Sequence, residues 1–133
     1  MRDTVLIVNE NANARIIAEA LLQARGIAAR GAEDALEAVE ALDGDRSVGI
    51  LLLDLDEMSP GRSGWELLRY LRRLASPPRV VVQSERVEAE TENFARRLGA
   101  EAFLHKPLRP DELLDTIDHM LQPRLHLARR AAR

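Results

Sequence analysis

Apolar runs alternate with helix-spaced patterns five times along the chain. Thr4–Val8 reads as an apolar strand running into the polar group Asn9-Glu10-Asn11. From Ala12 to Arg25 the spacing predicts a helix, with Ile16, Ile17, Ala20, Leu21 and Ala24 on one face and Gly26 as its stop. Ile27–Arg30 is a short second strand, and Glu33–Leu42 repeats the helical spacing through Leu36, Val39 and Leu42. Val48–Leu53 is the most apolar strand and leads into Asp54-Leu55-Asp56-Glu57. Gly64 opens a third helix with Trp65, Leu68, Leu71 and Leu74 toward a core, stopped by Ser76-Pro77-Pro78. Arg79–Gln83 is a fourth strand, ending at Ser84. A weaker helix follows through Phe94 and Leu98, then a fifth strand, Glu101–His105, ending at Lys106-Pro107. The last helix is Asp111–Leu121, apolar at Leu113, Leu114, Ile117, Met120 and Leu121. No internal repeat appears. Five strand–helix units at this spacing predict an α/β domain: a parallel sheet between two helical layers.

In such sheets a ligand sits beyond the carboxyl ends of the strands, where strand order switches. That rule narrows the search to Asn9 and Glu10, Asp54 and Asp56, Ser84, and Lys106. Clustered carboxylates repel one another unless a cation relieves them, so Glu10, Asp54 and Asp56 point to a divalent metal. An oxygen-only donor set favours Mg²⁺ or Mn²⁺ over zinc. A hydroxyl and an ammonium aimed at the same place suit a phosphoryl group, whose oxygens need donors and positive charge. Lys106 is the only lysine beside 18 arginines, and it stands at a strand end within this group. A compact point charge on a flexible stem is not replaced by a forked guanidinium.

These residues resemble the receiver domain of two-component response regulators, from about Thr4 to Leu121. The likeness rests on VLIVNE, LLLD, PGRSGWELL, VVVQS and GAEAFLHKPLRPDELL, in that order at successive strand ends. It implies a doubly wound, flavodoxin-like fold, a three-layer α/β domain with five parallel strands in the order 2-1-3-4-5. It also implies that Asp54 takes a phosphoryl group from a histidine kinase or phosphotransfer protein, so that the domain is a phosphoacceptor rather than an enzyme. Mg²⁺ (or Mn²⁺) would be held by the side chains of Glu10 and Asp54, by the backbone carbonyl of Asp56, and by Asn9 through a water. Ser84 and Lys106 would bind the phosphoryl oxygens, and Phe103 falls where the family keeps a switching aromatic. Phosphorylation would then bias the face formed by the fourth helix, fifth strand and fifth helix. Arg96 and Arg97 read as a solvated face, with pairing to Asp115 or Asp118 of a second copy in a homodimer through this face as the alternative.

Three departures bear on the chemistry. Asn9 stands where the family has an acid, and Glu10 is one methylene longer than the usual aspartate. Glu85 is bulky and acidic beside the hydroxyl. Gly64 is eight residues past Asp56 but ten past Asp54, which leaves Asp56 as the alternative acceptor. Asp54 is preferred because the apolar run leads straight into it, whereas acceptance at Asp56 would place Asp54 back in the sheet. Two other functions are weighed. A pseudo-receiver would bind partners without phosphorylation. A haloacid-dehalogenase-like phosphatase would use LLLDLDEM as its D-x-D strand, but its D-x-D belongs on the first strand and it needs a later acidic strand end. Trp65 reads as helix packing, and His105, His119 and His126 as surface or tail residues.

Composition narrows the rest. With 133 residues, 46% hydrophobic and 31% charged, the chain suits one globular domain. No cysteine is present, which excludes disulfides, thiolate zinc and cysteine nucleophiles. Four of the 19 basic residues lie in the last ten positions, which hold no acid. Residues 1–123, the expected receiver domain, therefore carry 15 basic against 22 acidic groups, and 124–133 form a basic tail. An acidic body argues against direct nucleic-acid binding. No run is long enough to span a membrane and the opening is too short in apolar residues for a signal peptide, so a cytoplasmic location is expected.

Overall fold

A computed structural model describes residues 2–56 and 63–121. The element order is β1 (Thr4–Val8), α1 (Ala12–Ala24), β2 (Ala29–Ala32), α2 (Ala35–Gly44), β3 (Val48–Asp54), α3 (Gly64–Leu71), β4 (Arg79–Ser84), α4 (Ala89–Arg97), β5 (Ala100–His105) and α5 (Pro110–Leu121). The strands form one sheet in the order β2-β1-β3-β4-β5, every pair parallel. The predicted fold class and strand order are both found. The basic tail 124–133 and part of the segment between β3 and α3, residues 57–62, lie outside the described residues.

The continuous apolar runs have a simple cause. Each central strand is covered on both faces, so every position along it must be apolar. Leu6, Val8, Leu51, Leu53, Val80, Val82 and Phe103 pack on the side of α2, α3 and α4. Val5, Ile7, Ile50, Leu52, Val81 and Leu104 pack on the side of α1 and α5. Asp54 shares the pleat of Ile50 and Leu52, and so belongs to the α1/α5 side at the end of the most buried strand.

Helix starts follow capping chemistry. Asn11, Asp34 and Ser63 each accept a bond from the backbone N–H three residues on, at 3.0, 2.9 and 3.2 Å. Gly64 opens α3 where a β-carbon would lie 2.9 Å from the Leu55 side chain and 3.1 Å from the Asp54 carbonyl oxygen. A glycine there lets the helix start directly against the end of β3.

The structure corrects several expectations about faces and boundaries. The second strand begins at Ala29 rather than Ile27. Gly26, at φ 80°, closes α1, and the N–H groups of Gly26 and Ile27 bond back to Gln23 and Leu22 carbonyls. The apolar character of Ile27 therefore belongs to the helix terminus, as in a Schellman cap. On α1 the buried residues are Ala18 and Leu22, while Ile16 and Ile17 are 63% and 60% exposed. On α2 the alanines Ala35, Ala38 and Ala41 face inward and Leu36 is exposed. Both helices pass close to the sheet, and small side chains make the approach while larger ones flank it. On α4 it is Ala95 that is buried, and Phe94 stays partly exposed against Trp65, with ring centroids 5.2 Å apart.

Leu52 is fully buried at the centre of β3. Leu52→Ala should lower unfolding stability in urea by about 2–5 kcal/mol through lost transfer energy and a residual cavity. Leu36→Ala, on the exposed side of α2, should change it by less than about 0.5 kcal/mol.

Candidate functional site at the carboxyl edge of the sheet

Three strand ends build the site, and the sheet ladder continues one step past each to hold it. Leu55 N–H donates to the Gln83 carbonyl at 3.1 Å, and Lys106 N–H donates to the Ser84 carbonyl at 2.9 Å. These bonds place Asp54, Ser84 and Lys106 side by side across β3, β4 and the end of β5. The peptide between Lys106 and Pro107 is cis.

Asp54 is 6% exposed, and its carboxylate is engaged at both oxygens. Oδ2 lies 2.6 Å from the Lys106 ammonium, and Oδ1 accepts the Asp56 backbone N–H at 2.8 Å. Lys106 also reaches Asp56 Oδ2 at 2.9 Å. Ser84, fully buried, donates its hydroxyl to Asp56 Oδ1 at 2.6 Å, and the Glu85 N–H donates to Asp56 Oδ2 at 2.8 Å. The Arg86 N–H in turn donates to the Ser84 hydroxyl oxygen at 3.0 Å. Among the described residues no buried side-chain nitrogen or oxygen lacks a hydrogen-bond partner.

The charges tune one another. Burial pushes the Asp56 carboxyl up, but the Ser84 hydroxyl, the Lys106 ammonium and the Glu85 N–H outweigh it and hold the group below the ordinary carboxylate value. Burial pulls Lys106 down, but bonds and attraction to Asp54 and Asp56 hold it above the ordinary lysine value. Both stay charged near neutrality.

The other expected residues lie at different distances from this cluster. Asn9 is 5% exposed and joins Asp54, Gln83, Glu85 and Lys106 around a cavity of about 610 Å³. Its side-chain oxygen accepts the Asn11 N–H at 2.9 Å. Glu10 follows Asn9 but is exposed. Among the described residues no three carboxylates or histidines form a ready-made metal cluster. The Asp54 carboxylate and the Asn9 amide oxygen, from the adjacent ends of β3 and β1, line one cavity, and oxygen donors of this kind fit a hard cation. Phe103 sits in the core rather than in the hydrogen-bonded cluster, with its ring 5.1 Å from the His105 ring.

Two roles escape a reading of sequence alone. The side chain of Asp56, expected as one of the clustered carboxylates and as the less favoured acceptor, is the hydrogen-bond acceptor on which Ser84, Glu85 and Lys106 converge. Its spacing of two from Asp54 carries the only hint. Arg15 on α1 donates to the backbone carbonyls of Asn9 at 2.7 Å and Glu10 at 3.2 Å, which braces the loop after β1. Arg96 bonds Glu92 at 2.9 Å, and Asp118 pairs with Arg25, so two of the four residues named for a dimer contact have ion pairs within the chain.

The comparisons with known proteins now decide the family. A family model for the response regulator receiver domain matches residues 5–118. The chain belongs to that family. The receiver is 32% identical over 120 residues to the sensory/regulatory protein RpfC of Xanthomonas campestris pv. campestris, covering 85% of this chain and 16% of that protein. It is 31% identical over 121 residues to the phosphate regulon transcriptional regulatory protein PhoB of Pseudomonas aeruginosa, covering 90% of this chain and 52% of that one. The chain thus spans only about half of PhoB and less of RpfC. Among solved structures, a response regulator receiver protein from Pseudomonas putida superposes with a TM-score of 0.82 at 32% identity, covering 90% of this chain and 98% of that chain. The receiver domain of a putative LuxO repressor protein from Vibrio parahaemolyticus shares the fold, with a TM-score of 0.83 at 21% identity and 98% coverage of both chains.

The lowered value at Asp56 has a consequence for acid stability. A depressed carboxyl contributes stability that is present above its ordinary value of 3.8 and is lost as pH falls through the lowered one. Asp56→Asn should therefore flatten the acid limb of the receiver's stability curve, read as urea midpoints between pH 6 and pH 2 (roughly the window in which carboxyls titrate). An unchanged acid limb would show that Asp56 is not held in its ionised form by these partners.

Proposed function

We propose that this receiver is a working phosphoacceptor, and that Asp54 takes a phosphoryl group from a histidine kinase or phosphotransfer protein. The observation that carries the reading is the Lys106 ammonium 2.6 Å from the Asp54 carboxylate, at a strand end flanked by a hydroxyl and by the cavity that Asn9 and Asp54 line. In the transfer, an Asp54 carboxylate oxygen forms a bond to phosphorus while the P–N bond of the donor phosphohistidine breaks. The imidazole leaves with the electron pair and takes a proton on that nitrogen. Lys106 and Ser84 bind the phosphoryl oxygens of the resulting acyl phosphate, offsetting charge that would otherwise meet the Asp54 environment unrelieved.

Glu10 and Asp54 would hold Mg²⁺ (or Mn²⁺) through side chains, Asp56 through its backbone carbonyl, and Asn9 through a water. The cation supplies positive charge to the phosphoryl oxygens. The chain's own contribution is to hold Asp54 at the edge of the cavity with its carboxylate paired to Lys106. Movement of Ser84 toward the phosphoryl group, together with Phe103, would alter the face of α4, β5 and α5, where an output partner or a second copy would bind. Among the described residues no helix is long and apolar enough to cross a membrane. The receiver alone is a phosphoacceptor rather than a turnover enzyme on this reading.

Asn9 favours a second reading, the pseudo-receiver, because it removes one negative charge from the cation's surroundings. Incubation with Mg²⁺ and acetyl phosphate, followed by intact mass, separates the two. The wild type should gain one phosphoryl group, Asp54→Asn should gain none, and Asp56→Asn should still be labelled. Loss of labelling in Asp56→Asn alone would move the acceptor to Asp56. No label on the wild type at saturating Mg²⁺ would favour the pseudo-receiver. Asn9→Asp should tighten Mg²⁺ binding, measured by calorimetry, by about 1–4 kcal/mol, the interaction of partly screened charges a few Å apart.

A further inference from the structure

Ser84 Oγ, Glu85 N–H and Lys106 Nζ converge on one place just past the end of β3, and Lys106 also reaches Asp54. On the proposed function two of them, Ser84 and Lys106, bind the phosphoryl oxygens, and the Glu85 N–H donates beside them. In the structure each already has an anionic acceptor, and it is the same one. Asp56 Oδ1 takes the Ser84 hydroxyl at 2.6 Å, while Oδ2 takes the Glu85 N–H at 2.8 Å and the Lys106 ammonium at 2.9 Å. Those partners lie 28, 29 and 50 positions further along the chain, so this is a tertiary arrangement and not a local turn. A carboxylate and a phosphoryl group offer the same thing to these donors, namely oxygens bearing negative charge.

We propose that the Asp56 carboxylate is an internal stand-in for the phosphoryl group: it fills the phosphoryl-oxygen subsite and must swing out before transfer to Asp54. The inference rests on Asp54 being the acceptor. The Ser84 hydroxyl and the Glu85 N–H each have one hydrogen to give, so a second anion there deprives Asp56 of its partners, and repulsion between the two adds to that loss. Entry therefore requires breaking the charge-assisted bonds that Asp56 makes. Ser84 is tied to Asp56 before any phosphoryl group arrives, so its movement toward that group must break this bond. The resident anion slows acceptance of the group it imitates.

Asp56→Ala empties the subsite and leaves the backbone carbonyl in place. At saturating Mg²⁺ and limiting acetyl phosphate, its labelling rate by intact mass should exceed that of the wild type by about tenfold, equivalent to ~1.4 kcal/mol in the barrier. Asp56→Asn, which keeps an uncharged acceptor, should fall between them and covers the case in which the alanine variant does not fold. Glu90→Gln removes a negative charge from the groove that Asp56 also lines, without touching the three donors, and should change the rate by less than about threefold. A labelling rate in both Asp56 variants equal to or below that of the wild type overturns the proposal. The Glu85 amide provides a readout independent of transfer. In ¹⁵N-edited spectra without phosphodonor or metal it should move upfield when Asp56 is replaced by Ala or Asn, and an unmoved resonance overturns the proposal. If neither wild type nor variants take label, the reading of Asp54 as acceptor fails, and the Glu85 resonance alone decides whether Asp56 occupies the subsite.

Discussion

One ammonium holds the carboxyl edge of this sheet together. Lys106 reaches Asp54 at 2.6 Å and Asp56 at 2.9 Å, and so neutralises two carboxylates only two residues apart. Unrelieved like charges about 4 Å apart in a partly screened setting repel by roughly 4 kcal/mol. The strand that ends in Asp54, Val48–Asp54, is buried along its whole length, so that acid cannot retreat into water by moving the backbone. A lysine suits the task better than an arginine because its charge is a point that two separate carboxylates can share.

That ammonium is placed by the sheet rather than by its own loop. Parallel pairing brings the ends of β3, β4 and β5 to one edge, and the bond from the Lys106 N–H to the Ser84 carbonyl extends the ladder by one residue. Cores on both faces of the sheet lock the register, since a slip by one residue would exchange the two sets of buried side chains. Precision at the site is therefore inherited from packing several residues away. The loop after β1 is the exception: Arg15 reaches down from α1 to grip its carbonyls, and Asn9 is tied to Asn11.

Charge is distributed unevenly along this edge. An uncharged Asn9 lines the cavity beside Asp54, while the Asp56 carboxylate stands among the donors Ser84, Glu85 and Lys106. The exposed pair Ile16 and Ile17 adds a second feature, an apolar flank on α1 whose member Ile17 lines the same cavity as Asp54.

The sequence by itself determined the number, type and order of the elements, and with them the edge on which the chemistry gathers. The physical reason is that burial on both faces forces unbroken apolar strands such as Val48–Leu53, and polar residues such as Asp54, Ser84 and Lys106 then mark where each strand leaves the core. Helix faces were less legible. An apolar stripe states that something covers it, but Ile16, Ile17 and Leu36 are exposed while Ala18, Ala38 and Ala41 are buried, because the distance between helix and sheet selects small residues for the contact. The apolar Ile27 was drawn into a strand by its composition and belongs to the cap of α1 by its hydrogen bond to Leu22. Only the tertiary structure decided the role of the Asp56 side chain. Its partners stand on two other strand ends, and no local pattern in a sequence records which of two neighbouring carboxylates those donors will meet once the strands lie side by side.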